Sequence, residues 1–204
     1  MTPKALILIA DGSEEIEFVT PYDVLTRAGF EVKSCGVDLK NDTFAVCSRN
    51  VRILPDHPNP PSIPFQSAHE YFDILILPGG APGAKAFCGS DIVLDMIHAF
   101  RKEKKWVAAI CAGTTALVAA EKKAHGEEQK GGKKARVTSH PSVKEAVKGA
   151  GWEYSEERVV VDGKVVTSRG PGTALLFALT IVEQLCGKEK SDEVAGPMIV
   201  AETL

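Results

Sequence analysis

The 204-residue chain has little of what would assign it to a specialised class. Aromatic residues make up 6% of it, and the formal net charge is only -3. So weak a charge leaves no electrostatic footprint for nucleic acid or an anionic membrane, and neither is expected as a partner. The five cysteines, Cys35, Cys47, Cys88, Cys111 and Cys186, are odd in number and contain no Cys-x-x-Cys pair. That excludes a disulfide framework and a zinc knuckle, and no metal or cofactor is expected. No apolar run reaches the roughly 18 residues of a membrane span; the longest, Trp106 to Ala120, is broken by Gly113, Thr114 and Thr115. The opening MTPKALILIADGSEE meets acidic residues too soon for a secretory leader and lacks a small-residue cleavage site. The expectation is a soluble, reduced protein of the cytoplasm, with the nucleus left open.

What is present reads as one domain over residues 1–204, 44% hydrophobic and 25% charged. Lys4 to Ala10 and Asp73 to Leu77 are unbroken aliphatic runs, as strands buried on both faces require. Phe30 to Val37 and Trp106 to Ile110 are further strands, and helical spacing runs through Ile92 to Lys102 and Ala112 to Lys122. Thr20 followed by Pro21 reads as an N-cap with proline at the first helical position, the helix ending at Gly29. Alternation of buried strands with helices predicts an α/β, doubly wound, mostly parallel sheet sandwiched between helices. The tract LPDHPNPPSIPF reads as a surface loop, because repeated proline denies it ladder bonds. The lysine-rich stretch around 122–135 reads as an exposed charged insertion. Asp162-Gly163-Lys164 marks a hairpin, and SRGPGT leads into a last helix closed by Gly187.

Cys111 stands where a buried strand gives way to a helix, with Ala109 and Gly113 two positions either side, a partial nucleophile-elbow pattern. Amides of the first helical turn would lower its thiol pKa and could hold an oxyanion; the alternative is a buried structural cysteine. Pro78-Gly79-Gly80 closes the neighbouring strand on the same carboxyl edge, where open α/β sheets place their sites, or else merely makes a turn. Among Glu14, Glu15 and Glu17, the last lies between Ile16 and Phe18 and is the one expected to point inward, where burial would protonate its carboxyl. His140, in VTSHP, is the best placed of the five histidines to serve as a base, although a lone histidine is more often structural.

In this order, ADGSEEIE, LPGG, AAICAGTTAL, VTSHP and TSRGPGT resemble the ThiJ/PfpI superfamily, in the branch of the Parkinson-disease-associated protein called protein deglycase or, in yeasts, glutathione-independent glyoxalase III. The resemblance spans essentially the whole chain. It implies a flavodoxin-like fold, a homodimer and a cofactor-free lyase of the glyoxalase III or D-lactate dehydratase type, converting methylglyoxal or glyoxal to lactate or glycolate. It places the catalytic residues at Cys111, Glu17 and His140, the oxyanion-hole amides at Gly80 and Ala112, and a dimer surface at Arg27 and Cys47-Ser48-Arg49. Redox sensing through Cys111, protein deglycation and a peptidase activity are the competing readings.

Overall fold

The computed structural model describes residues 2–62, 67–125, 134–201 and 203. Its centre is a six-stranded sheet in the order β2-β1-β5-β6-β10-β9, built from β1 (Lys4–Ile9), β2 (Glu31–Gly36), β5 (Ile74–Leu77), β6 (Trp106–Ile110), β9 (Val159–Asp162) and β10 (Val165–Ser168). Every pairing is parallel except that of β9 with β10, the hairpin turned by Asp162-Gly163-Lys164. Two short sheets lie outside it: β3 (Ala45–Val46) with β4 (Arg52–Ile53), and β7 (Arg136–Val137) with β8 (Glu153–Tyr154).

Strand periodicity sorts the aliphatic residues into two cores. Ala5, Ile7 and Ile9 of β1, with Ile74, Ile76, Ala108 and Ile110, face helices α1 (Glu15–Arg27) and α7 (Ala174–Cys186), where Phe18, Leu25, Phe177 and Ile181 meet them. Leu6 and Leu8, with Leu75, Leu77, Val107 and Ala109, face the other layer: α3 (Ala81–Gly89), α4 (Asp91–Lys102) and α5 (Thr114–His125), through Phe87, Ile97, Phe100 and Leu117. Burial on both faces is why these strands carry no polar alternation. The remaining helices are α2 (Ala68–Tyr71), α6 (Lys144–Gly149) and α8 (Lys188–Ala195). The result is the mostly parallel, flavodoxin-like sandwich that the sequence predicts.

Three local expectations are corrected. Helix α1 begins at Glu15, not after Thr20: the Glu14 side chain caps it by accepting the Glu17 N–H at 2.9 Å, and Pro21 lies inside the helix. An acidic cap three residues ahead of the bonded amide outweighs the proline signal, and Pro21 costs one helical hydrogen bond, the one its missing N–H would make to the Glu17 carbonyl. The proline tract is not wholly free of pairing. His57 bridges Cys35 at the edge of β2, donating its N–H to the Ser34 carbonyl at 2.9 Å and accepting from Gly36 N–H at 2.8 Å. His57, a non-proline residue of the tract, keeps the donor that the prolines lack. Helix α5 runs on to His125 rather than ending at Lys122; of the expected charged stretch, residues 122–125 are exposed on that helix, Arg136 belongs to β7, and residues 126–133 lie outside the described residues. Helix α3, hidden in the small residues of APGAKAFCG, is an element the sequence reading missed. Among the described residues, no helix is long and apolar enough to cross a membrane.

The consequence for function is positional. The carboxyl ends of β1, β5, β6 and β10 release the chain at one edge of the sheet, delivering Ser13 to Glu17, Pro78 to Gly80, Cys111 and Ser168 to Gly170 to a common place.

Candidate active site

Cys111 follows the last residue of β6 and opens a single 3-10 turn, Cys111–Gly113, that passes directly into α5. Its φ of 62° is left-handed, a conformation that costs a residue with a side chain about 1–3 kcal/mol. This is the strained elbow that the partial motif suggested. It turns the thiol towards the backbone N–H groups of Ala112 and Gly80, which favour the ionised sulfur. Cys111 as a whole is buried, with 8% of its surface exposed.

Glu17 approaches from the first turn of α1 and is fully buried. Its Oε2 accepts the Gly79 N–H at 2.8 Å, and the carboxyl and the Cys111 side chain crowd the same point at Gly79, close enough to couple electrostatically. Its other oxygen, Oε1, is buried without a hydrogen-bond partner among the described residues. Gly79 is required by this crowding, since a Cβ there would stand 2.5 Å from Glu17 Oε2 and 2.6 Å from Cys111 Cβ. Gly80 is required by its backbone, with φ at +81° and the carbonyl of Gly12 only 2.1 Å from where a Cβ would sit.

A ring of hydrogen bonds ties these segments together. The Glu14 N–H donates to the Gly79 carbonyl at 3.1 Å, the Gly79 N–H to Glu17, and the Glu17 N–H to the Glu14 carboxylate. Glu15, 8% exposed, points the other way: its oxygens accept from Ser48 Oγ and the Arg49 N–H, both at 2.7 Å, and so fasten the β3–β4 turn to the start of α1. Neither role was read from the sequence. The Glu14-x-x-Glu17 spacing was the available signal for the first.

The structure therefore brings together Cys111, Glu17, Gly80 and Ala112. His140 lies at the same edge but is not joined to them. Its Nδ1 accepts the Ser142 N–H at 3.2 Å, capping the turn Pro141–Val143, and lies 2.8 Å from Ser142 Oγ. Accepting at Nδ1 leaves the ring proton on Nε2. Among the described residues the ring makes no hydrogen bond to Cys111 or Glu17. Its loop is nevertheless held beside the nucleophile, because the Thr114 hydroxyl donates to the Thr138 carbonyl at 3.1 Å and the Thr138 N–H donates to Thr167 Oγ1 at 2.9 Å. Arg27 pairs with Asp23 of its own helix at 2.7 Å, and Arg49 reaches the Ser48 carbonyl at 3.1 Å.

The DJ-1/PfpI family profile matches residues 3–184. The chain belongs to this family. A Parkinson disease protein 7 homolog of Danio rerio is 41% identical to it over 202 residues, 98% of either chain. A glutathione-independent glyoxalase DJ-1 of Schizosaccharomyces pombe is 33% identical over 192 residues, 94% of this chain and 95% of that one. The solved structure of Schizosaccharomyces pombe DJ-1 superposes with a TM-score of 0.86 at 31% identity, covering 97% of this chain and 100% of the other.

Within this DJ-1/PfpI site the electrostatics differ from the sequence expectation, in which helix-turn amides alone depress the thiol pKa. Burial pushes the Cys111 thiol up to about 12 and an ionised Glu17 adds to the rise, against the lowering by the Ala112 and Gly80 amides. Burial likewise raises the Glu17 carboxyl to about 7, only partly offset by the Gly79 amide and the thiol. Two negative charges in this volume oppose one another, so the pair favours keeping one proton between them. Carried by the carboxyl, that proton removes the charge that disfavours thiolate and is donated to the sulfur, whose shell the two amides complete. Cys35 and Cys47 are pushed up to about 12 by burial, and the acidic groups Glu15, Glu14 and Asp11 add to the rise at Cys47.

Because an ionised Glu17 adds to the rise of the thiol, Glu17→Leu removes that charge while leaving the sulfur desolvated, and the variant's thiolate forms at lower pH than the wild type's. Ultraviolet thiolate absorbance, with Cys111→Ala as the blank, reads this directly. An unchanged midpoint means that Glu17 does not act on the sulfur, and a raised one means that its protonated form, as a donor to the sulfur, outweighs its charge.

Proposed function

We propose that this protein is a glutathione-independent glyoxalase, a lyase of the D-lactate dehydratase type that converts methylglyoxal to lactate and glyoxal to glycolate. The observation that carries the reading is the buried Glu17 carboxyl against the Cys111 sulfur, with two backbone amides on the same sulfur. The name of the Schizosaccharomyces pombe relative supports it.

The chemistry follows from the pair. Cys111 thiolate adds to the aldehyde carbon, and the alkoxide of the resulting hemithioacetal takes over the Gly80 and Ala112 amides, then a proton from Glu17. Glu17, now ionised and raised in basicity by burial, removes the hydrogen from that carbon to give an enediolate and returns the same proton to the adjacent carbon, while the hydroxyl proton passes from one oxygen to the other. The product is the thioester of the 2-hydroxy acid. Water hydrolyses it, releasing the acid and restoring the thiol. The proton that Glu17 gave to the alkoxide is made good when hydrolysis returns one proton to the Cys111–Glu17 pair, and the isomerisation itself exchanges no electrons with an outside partner. His140 is the second acid or base in this reading, its Nε2 proton available because Nδ1 is occupied by Ser142.

The same contact supports a second reading, oxidation of Cys111 to the sulfinic acid with Glu17 donating to the new oxygens, and the unpartnered Oε1 favours it. Turnover separates the two. Purified wild-type protein, free of metal and glutathione, is expected to form lactate from methylglyoxal. Cys111→Ala is expected to remove at least about a thousandfold of that rate with the fold retained. Lactate formation near the wild-type rate in Cys111→Ala would refute the mechanism.

Homodimerisation and cytoplasmic residence belong to the same proposal. Ile16, Val19, Val46, Val51 and Leu54 are 37–70% exposed on α1 and the β3–β4 unit, next to Arg49. An apolar group of this kind is what a two-fold self-contact covers. Five free cysteines suit a reducing compartment. Light scattering at micromolar concentration is expected to give the dimer mass, and Ile16→Glu with Val51→Glu the monomer mass; a wild-type monomer would overturn the assembly claim.

A further inference from the structure

At the end of the sheet opposite Cys111, a cavity of about 260 Å³ opens between the turn that joins α4 to β6 and the β9–β10 hairpin turn. Trp106 starts β6 and Cys111 follows its last residue, which puts roughly 16 Å of strand between the two places. The first turn contributes Arg101, Lys104 and Lys105 to the cavity wall and the second Asp162 and Lys164, with Val165 beside them. A chain of net charge -3 thus gathers four cations around one cavity.

Two of the four are already neutralised. Arg101 pairs with Glu121 and lies over the Trp152 ring at 5.3 Å, and Lys105 is 3.0 Å from Asp73. Lys104 and Lys164 have no carboxylate partner among the described residues. Lys164 is instead held 4.3 Å above the Trp106 ring, which places its ammonium without consuming its charge. Lys104 takes a φ of 56°, a left-handed position at the end of α4 that glycine would occupy without strain, so a long cation stands where the backbone alone would favour none. Asp162, the acidic residue of the wall, has its Oδ2 engaged by the Arg136 N–H at 2.7 Å.

We infer that this cavity binds a small phosphorylated anion, its phosphoryl group held between the ammonium groups of Lys104 and Lys164. Two lysines offer point charges and rotatable donors, which suit the several oxygens of a phosphoryl group, whereas the planar fork that grips a carboxylate belongs to Arg101 and is spent on Glu121. Val165 and the lysine stems leave an apolar wall for a few carbons. The small volume, about 260 Å³, and the negative chain charge disfavour an extended polyanion. The inference is independent of the chemistry at Cys111.

The test is amide NMR of the full chain titrated with inorganic phosphate, with glycerol 3-phosphate and with a single-stranded oligonucleotide, at ionic strength held constant with chloride. Saturable shifts are expected at Lys104, Lys105, Gly163 and Lys164, stronger with the ester than with phosphate, and none at Gly80 or Ala112. Lys104→Gln with Lys164→Gln, both exposed and therefore tolerated by the fold, is expected to weaken ester binding at least about tenfold. Non-saturating shifts, undiminished affinity in the double variant, shifts centred on Cys111, or an oligonucleotide that binds more tightly than the ester would each overturn the inference.

Discussion

A carboxyl and a thiol share a space that accommodates one negative charge and resists two, and the rest of the site is arranged around that limit. Glu17 is wholly inside the protein, its carboxyl set against the Gly79 N–H and the sulfur, with the Glu14 charge opposing its ionisation. Water would stabilise both anions at little cost; here each ionisation raises the cost of the other. The outcome is a proton that belongs to the pair, and the Ala112 and Gly80 amides bias which atom gives it up.

Holding two such groups in contact requires rigid supports from distant parts of the chain. Glu17 comes from α1 and Cys111 from the end of β6, 94 positions later in the sequence, and Gly79 lies between them with no room for a side chain. The parallel sheet supplies the convergence, since strands buried on both faces cannot slide without exposing aliphatic side chains to water. The capped start of α1 then fixes the carboxyl: Glu14 anchors the Glu17 backbone and the Gly79 carbonyl at once. The left-handed backbone at Cys111 is the strain that this scaffold sustains.

Much of this was legible before any coordinates. KALILIA and DILIL have no polar alternation because both faces are covered, so the strands and the layered α/β architecture could be read directly from hydrophobicity. Cys111 was legible because a strand-to-helix junction is a position, and positions can be read from pattern. Glu17 was separable from its acidic neighbours by its apolar flanks. Cap competition was harder: Thr20-Pro21 and Glu14-x-x-Glu17 are both valid helix starts, and only tertiary packing of Phe18 and Pro21 against the core decides between them. The sign of the thiol shift was not legible at all. Helix-turn amides are visible in a sequence, but the desolvation that opposes them depends on how completely other segments close over the sulfur. The engagement of His140 Nδ1 by Ser142 is likewise a matter of rotamer, which no spacing rule states.

The location of the shared proton tests the account most directly. Carbon-13 NMR of the Glu17 carboxyl, assigned by comparison with Glu17→Gln, can be followed through pH on the same samples used for Cys111 thiolate absorbance. The account expects a carboxyl that remains protonated far above its ordinary 4.5, up to about 7, and a sulfur whose ionisation is opposed once Glu17 carries its charge. A Glu17 that ionises near 4.5, with a thiolate midpoint that is the same in Glu17→Gln, would contradict it.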